Sequence, residues 1–404
     1  MNAPFHVGQV RAPAQAVQPT RARVPAALVA AERSYLTPLD SVSLPAWASL
    51  AANSIEPNAC YLPSWALPVA RNARGRSDAL ALTAFDCTGP NRLTGLMPVR
   101  WAGRALSLPV PLLVSWNAYA PFSVPLLARD CAVDAAGALL EAAKAAGAHG
   151  LLLQNIATGG PAYAAILSAL ERRGLTPILM CGFQRAGLDA SKDADAVLRQ
   201  ALSAKKLKEL RRQRHRLEDS GAVSFDVASS PEQIGPALEA FLALEAEGWK
   251  GERGTALARH PGDAAFIREA APALAASGQF EIVSLTRNDE TLASGLILRD
   301  AGRAFFFKIA MDESEARNSP GVQLTLELTR HLCADPAIAF ADSTADGEHP
   351  MIDHIWRERI EIADVFVPLA PRDPRAAAIR GLVAARTRAI ACIKAIRRLK
   401  EKLP

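Results

Sequence analysis

The sequence has 404 residues, half of them hydrophobic, with 46 Lys and Arg against 41 Asp and Glu and only 6% aromatic residues. That composition excludes a disordered or collagen-like chain, and the length allows two or three domains, each large enough to bury its own core. The formal charge of +5 is uneven: Arg199 to Arg216 carries +7, Arg372 to Lys402 carries +8, and the remainder of the chain −10. The basicity therefore belongs to two segments and not to the surface as a whole.

In chain order, residues 1–27 scatter Arg and Pro without the apolar core of a secretory signal, which predicts a disordered lead-in. The six cysteines lie far apart with no C-x-x-C pair, as reduced thiols of a cytoplasmic protein do. The uncharged run 105–128 is long enough to cross a bilayer, but Pro109, Pro111, Pro121 and Pro125 interrupt it, so short buried strands are predicted there.

An internal duplication organises the rest. Gly95 to Leu106 matches Gly295 to Phe305 once one residue is gapped, a separation of two hundred residues. Each copy begins as a hairpin: LALTAF at 80–85 turns through Thr88-Gly-Pro-Asn, and FEIVSL at 280–285 turns through Arg287-Asn-Asp-Glu. After the first hairpin come apolar 110–116, a helix over 132–146, a strand at 151–156, a helix over 161–173 and a strand at 175–181. After the second come RAFFFKIAM at 303–311, a helix over 321–334, IAFAD at 338–342, a helix over 349–359 and IEIADVFV at 360–367. Hairpins followed by helix–strand alternation imply a mixed α/β (α+β) layer in each half. The predicted organisation is two tandem mixed-sheet domains, 28–194 and 195–371, plus a C-terminal basic helix over 372–404.

Between the copies, Ser203 is placed to cap a helix whose narrow Leu207, Leu210 and Leu217 stripe is surrounded by Lys and Arg. Such a helix presents a solvated basic face. After Pro374, apolar residues recur at helical spacing among basic ones, a pattern that packs on the chain's own core, pairs with a partner or lies on an anionic membrane.

Three motifs in the second half carry chemistry. Glu245 to Thr255 sets Trp249 and Lys250 among three glycines just after a helix. Arg317-Asn-Ser-Pro-Gly-Val-Gln323 is a strand-to-helix turn, and Asp342 to Arg359 gathers carboxylates, two histidines and Trp356. Free N–H groups at a helix start, backed by the helix dipole, suit phosphate. With the mixed sheet before it, this unit resembles the acyl-CoA pyrophosphate site of the GNAT acyltransferase superfamily. More closely, residues 200–367 resemble the acetyltransferase domain of the CelD/BioF2-like group, on the basic helix KKLKELRRQRHRL, the WKG turn, the SPG helix start and the late W-R. The tandem arrangement resembles the Fem-type peptidoglycan aminoacyl transferases.

The resemblance implies acetyl-CoA as acyl donor, held by Lys308, Asn318, Ser319, Gly321 and Val322, and an acceptor pocket at Trp249, Lys250 and Trp356. A base must take a proton from the attacking amine, and the candidates are Asp342, Glu348, His349, Asp353 and His354. Each has a plain structural alternative: Asp342 can cap a turn, and Trp249 can plug a core gap. All four tyrosines, Tyr35, Tyr61, Tyr119 and Tyr163, precede the second domain, so the tyrosine acid common in the superfamily is replaced or reaches across from the first. No third ligand cluster supports a metal site. The first-copy counterpart of the phosphate turn, residues 118–125, has prolines and no glycine, which implies a wall for the acceptor cleft and not a second CoA site.

Three functions follow. The first is acyl transfer, acetyl above all, from CoA to an amine or hydroxyl of a sugar, amino-sugar or small-molecule acceptor, as in exopolysaccharide or envelope synthesis. The second is Fem-like, tRNA-dependent aminoacyl transfer. The third is a degenerate scaffold at the membrane surface. Nucleic acid other than tRNA is disfavoured because the basic segments lack interleaved aromatics.

Overall fold

The computed structural model describes residues 34–75, 78–86 and 92–400. The lead-in and the Thr88-Gly-Pro-Asn turn lie outside them.

The first half runs β1 (Ser34–Pro38), α1 (Leu44–Ala52), α2 (Pro63–Asn72), β2 (Leu80–Phe85), β3 (Leu93–Trp101), α3 (Ala102–Ala105), β4 (Leu112–Ser115), β5 (Leu126–Leu127), α4 (Ala132–Ala145), β6 (Gly150–Ala157), α5 (Pro161–Glu171) and β7 (Ile178–Asp189). The second runs α6 (Ala194–Ala201), α7 (Ala204–Glu218), β8 (Val223–Ala228), α8 (Pro231–Glu247), α9 (Trp249–Glu252), α10 (Pro261–Ala275), β9 (Phe280–Arg287), β10 (Glu290–Asp300), β11 (Arg303–Met311), α11 (Pro320–Ala334), β12 (Phe340–Asp342), β13 (Glu358–Pro368) and α12 (Pro374–Lys400).

Local chemistry explains the boundaries. The Ser203 hydroxyl accepts the Lys206 N–H and starts α7, while Ser230 and Gln233 form a reciprocal capping box on α8. Asn288 and Asp289 both take positive φ, 48° and 69°, at the two-residue turn joining β9 to β10. Asn and Asp tolerate that left-handed geometry best after glycine.

The duplicated hairpins do not make two separate sheets. All described strands join one sheet in the order β1-β2-β3-β4-β6-β13-β7-β12-β11-β10-β9-β8, with β5 beside β3. Each half ends by lending its last strand to the other. β13, from the second half, pairs antiparallel with β6 of the first, while β7, from the first, pairs antiparallel with β12 of the second. The two exchanged strands pair with each other through the middle of the sheet. The main hydrophobic core accordingly runs across both halves, and the described residues belong to one compact unit.

The predicted helix over 349–359 is not formed. Residues Ile352–His354 make a single 3₁₀ turn and β13 already begins at Glu358. Pairing Glu358 to Ile360 with β7 satisfies backbone groups that a last helical turn would leave to solvent. The C-terminal helix packs its first turns on the first half and on β13, burying Ala376, Ile379 and Val383 against Leu106, Val114 and Phe366. Leu382 and Ile393 remain about half exposed.

Candidate active site

The site is set by two strands that part. β11 and β12 pair in parallel over only three residues, ending at Phe305 and Asp342, after which β11 runs on to Met311 while the other chain turns away. Just past that point the β10–β11 register slips: Leu296 faces Lys308 but Ile297 faces Phe306, so Phe307 is an extra, bulged residue. A bulge puts two successive side chains on one face and releases backbone groups from the ladder. Phe307 turns against Trp65 of α2, and Lys308 reaches Glu245 of α8.

The opened edge is lined by polar groups. Thr344 Oγ1 donates to the Phe306 carbonyl at 2.7 Å, and Lys250 Nζ donates to the Ile309 carbonyl. Glu245 is buried; its Oε1 accepts from Lys308 Nζ at 2.6 Å and its Oε2 from the Leu257 N–H at 2.8 Å, with Lys250 Nζ 3.9 Å away. Burial, with the Lys308 charge beside it, pushes the Lys250 ammonium down to about 8 against the pull of Glu245. His349 closes the loop side. Its Nδ1 accepts from the Met351 and Ile352 N–H groups, which leaves the ring proton on Nε2, and burial holds its pKa below the ordinary histidine value. Between these groups lies a cavity of about 140 Å³, bounded also by Ile309, Ser343 and Met351.

At the far end of β11 a 3₁₀ turn (Glu313–Asn318) leads to Ser319, in the left-handed region at φ 52°, and Pro320 opens α11. A Cβ on Gly321 would sit 3.1 Å from Met311 Sδ and 3.6 Å from Ile309 Cδ1, so glycine keeps this path along β11 clear. Asn318 is buried with its Oδ1 unpaired, and its amide donates to Glu315. A parted parallel pair, a bulge at the parting and a helix start thus follow one another along β11.

Residues 204–348 match the family described as the acetyltransferase (GNAT) domain. The chain carries a GNAT acyltransferase domain. The fold as a whole is similar to solved structures at low identity. FemX shares 11% identity at a TM-score of 0.53, over 84% of this chain and 98% of that one. The C-terminal domain of a protein assigned as a lysylphosphatidylglycerol synthetase from Agrobacterium fabrum shares 12% at 0.52, over 84% and 95%. A conserved protein of unknown function from Bacteroides thetaiotaomicron shares 12% at 0.52, over 82% and 99%. No curated protein matches the sequence.

Within the GNAT domain the structure sorts the residues singled out from sequence. Lys250 and Lys308 meet at the bulge, and Ser319 and Gly321 stand at the helix start. Val322 follows, half-buried, its N–H bonded to the Ser319 carbonyl. Trp249 is 44% exposed at the rim, with the Arg253 guanidinium 5.1 Å and the Lys250 ammonium 5.7 Å from its ring centroid. Trp356 does not reach the cleft: it is fully buried, donates to Thr329 Oγ1 and fills the core beside Phe306. Asp342 is held by the buried Arg185 at 2.6 Å and by the Thr344 N–H, a pairing that joins β7 to β12, and it does not line the cavity. Glu348 and His354 point to solvent, and Asp353 is half-buried. Glu245 and the Phe307 bulge were missed. Glu245 continues the Leu238, Phe241, Leu242 stripe of α8, and a carboxylate on an apolar stripe demands a cation. Among the described residues no cluster of three or more metal-ligating side chains occurs, and no helix is long and apolar enough to cross a membrane.

Proposed function

We propose that the second half transfers a short acyl group, acetyl in the simplest case, from CoA to an amine or hydroxyl of a sugar or similar small acceptor in the cytoplasm. The observation that carries this reading is the bulge at Phe307 where β11 and β12 part. There backbone N–H groups freed from the ladder can polarise a thioester carbonyl, and Lys308 adds positive charge beside the developing oxyanion. Ser319, Gly321 and Val322 lie where the diphosphate would meet α11. A cavity near 140 Å³ suits an acetyl group and the tip of the pantetheine arm better than a long acyl chain. The exposed Trp249 with two cations at its ring suits a sugar or nucleobase face at the mouth. His349, neutral near pH 7, is the base candidate nearest the cavity, once its weakly held Nδ1 is released.

Isothermal titration and thermal shift with acetyl-CoA test this reading. Millimolar acetyl-CoA should raise the Tm by several degrees, with desulfo-CoA equally effective and free acetate inert; no shift would remove the donor assignment.

A second reading has its own support. Pro320 supplies no N–H, and Glu313 and Glu315 flank the turn, which is a poorer diphosphate cradle than a glycine loop. On α7, Lys205, Lys206, Lys208, Arg211 and Arg216 are exposed, and the overall fold is similar to that of FemX. Aminoacyl transfer from tRNA would use those cations, and filter binding of aminoacyl-tRNA that weakens steeply with salt would favour it. The basic α12, with Leu382 and Ile393 exposed, would in either case let the enzyme rest on an anionic membrane.

A further inference from the structure

The cleft needs a proton source for the departing thiolate, and the usual one is missing. Tyr61 is buried with its hydroxyl donated to the Trp116 carbonyl, and Tyr35, Tyr119 and Tyr163 do not line the cavity. Three groups that can give a proton do line it, Lys250, Lys308 and His349, and of these Lys308 is held to Glu245 at 2.6 Å.

Lys250 is the best placed. It comes from α9, immediately after the α8 helix that carries Glu245, and its side chain is 19% exposed. One N–H is given to the Ile309 carbonyl, on the opened edge two residues beyond the bulge. An N–H in that position stands where an extended thioester lying along β11 would place its own amide donor, so binding the donor frees Lys250 beside the sulfur. The groups facing it are Glu245 from α8, Lys308 from β11 and His349 from the 343–352 loop. Glu245 is already engaged by Lys308 and by the Leu257 N–H, so it neutralises the pair of lysines only in part.

We propose that Lys250 is the general acid that protonates the leaving thiolate, taking the place of the tyrosine. This rests on the acyl-CoA reading above. The acceptor nitrogen attacks the carbonyl carbon and a C–N bond forms. As the C–S bond breaks, its electron pair goes to sulfur, and a Lys250 N–H proton passes to that sulfur to give the free thiol. His349 takes the proton released by the acceptor nitrogen and passes it to the neutral Lys250 amine, which returns to the ammonium. A lysine that titrates near 8 is matched to a thiol in a way that an ordinary lysine is not.

The test uses the full chain, acetyl-CoA as donor and hydroxylamine, an amine unprotonated at neutral pH, as acceptor, with thiol release followed from pH 6 to 10. The wild-type rate should fall above about pH 8 as Lys250 loses its proton. Lys250→Met should lose that limb and about 100-fold in kcat, with KM for acetyl-CoA within a few-fold. Most of the loss should disappear with an acetyl thioester of 4-nitrothiophenol, whose thiolate leaves without a proton. Independently of turnover, acetic anhydride labelling followed by peptide mass spectrometry should place the Lys250 midpoint near 8, well below that of Lys205. Equal slowing of Lys250→Met with both thioesters, an ordinary lysine midpoint, or loss of the limb in Tyr119→Phe instead would overturn the proposal. If the wild type releases no thiol from acetyl-CoA, the donor reading itself falls, and the proposal with it; thiol release undiminished in Lys250→Met overturns the proposal alone.

Discussion

The two halves contain the same parting of strands, and they use it in opposite ways. In the first, β4 pairs in parallel with β6 over Leu112 to Val114; in the second, β11 pairs with β12 over Arg303 to Phe305. Gly95 of β3 faces Leu127 as Gly295 of β10 faces Ile309, and one step on, Leu96 faces Leu126 as Leu296 faces Lys308. The single bulged residue of the second half, Phe307, corresponds to a ten-residue excursion, 116–125, between β4 and β5 in the first. That excursion fills its own cleft and reaches the other one. Trp116 and Phe122 are buried, Phe122 stacks on Phe305 at 4.9 Å, and the strained Tyr119, at φ 47°, lies 6.5 Å from Phe307. So the copy with apolar Leu126 in place of Lys308 has become the wall of the copy that keeps the charges.

Exchanging the paired residues breaks that comparison most directly. Leu126 is fully buried, so Leu126→Lys buries an ammonium and should cost on the order of 5 kcal/mol, read by urea unfolding. Lys308→Leu should leave the fold intact, because Lys250 stays within 3.9 Å of Glu245, yet lower acetyl transfer about 100-fold. Equal effects of the two exchanges on stability would mean the halves are not specialised in this way.

The seam between the halves gives the next largest effect. Arg185, from the exchanged strand β7, pairs with Asp342 and donates to the Pro121 carbonyl of the excursion at 2.9 Å. Arg185→Leu strands a buried carboxylate, and a loss of about 3 kcal/mol in chemical denaturation is expected. If the variant is as stable as the wild type, the pair does not hold β7 in the second half.

The smallest effect is a pH dependence. At the seam, Asp300 accepts the Asn58 N–H at 2.9 Å, and burial pushes its carboxyl up to about 6. Its folded pKa lies above the unfolded value of about 3.9, so the folded chain holds the extra proton between these limits. The group therefore lowers stability as pH rises from about 4 to 6, and the loss persists above that. Asp300→Asn should be about 2 kcal/mol more stable than wild type at pH 7.5 and no different at pH 4. A constant difference across that range would assign the effect to packing instead.

Much of this was legible in the residues. LALTAF and FEIVSL read as strands by alternation, the Gly95 and Gly295 segments revealed the repeat, and the turn at Ser319-Pro-Gly marked the helix start. The site was legible only in pieces. Trp356 and Asp342 belong to the core, although their sequence neighbourhood looks polar, because the 343–357 segment folds back over the sheet instead of forming a helix. Glu245 carried a signal, as a carboxylate on an apolar stripe. The bulge at Phe307 carried none, since it exists only as a register difference between two strands.

The sequence by itself determined the period of most elements, though not of 349–359, and the duplication, because alternation, caps and turn residues act over a few neighbours. It also located the basic segments and the second half as the one with chemistry. Only the tertiary structure decided that β7 and β13 change places, that the first half's excursion fills its own cleft and walls the other, and that Lys250, Lys308 and Glu245 share one site. Those outcomes depend on which distant strands pair and which charges must be buried together. No local pattern contains that information.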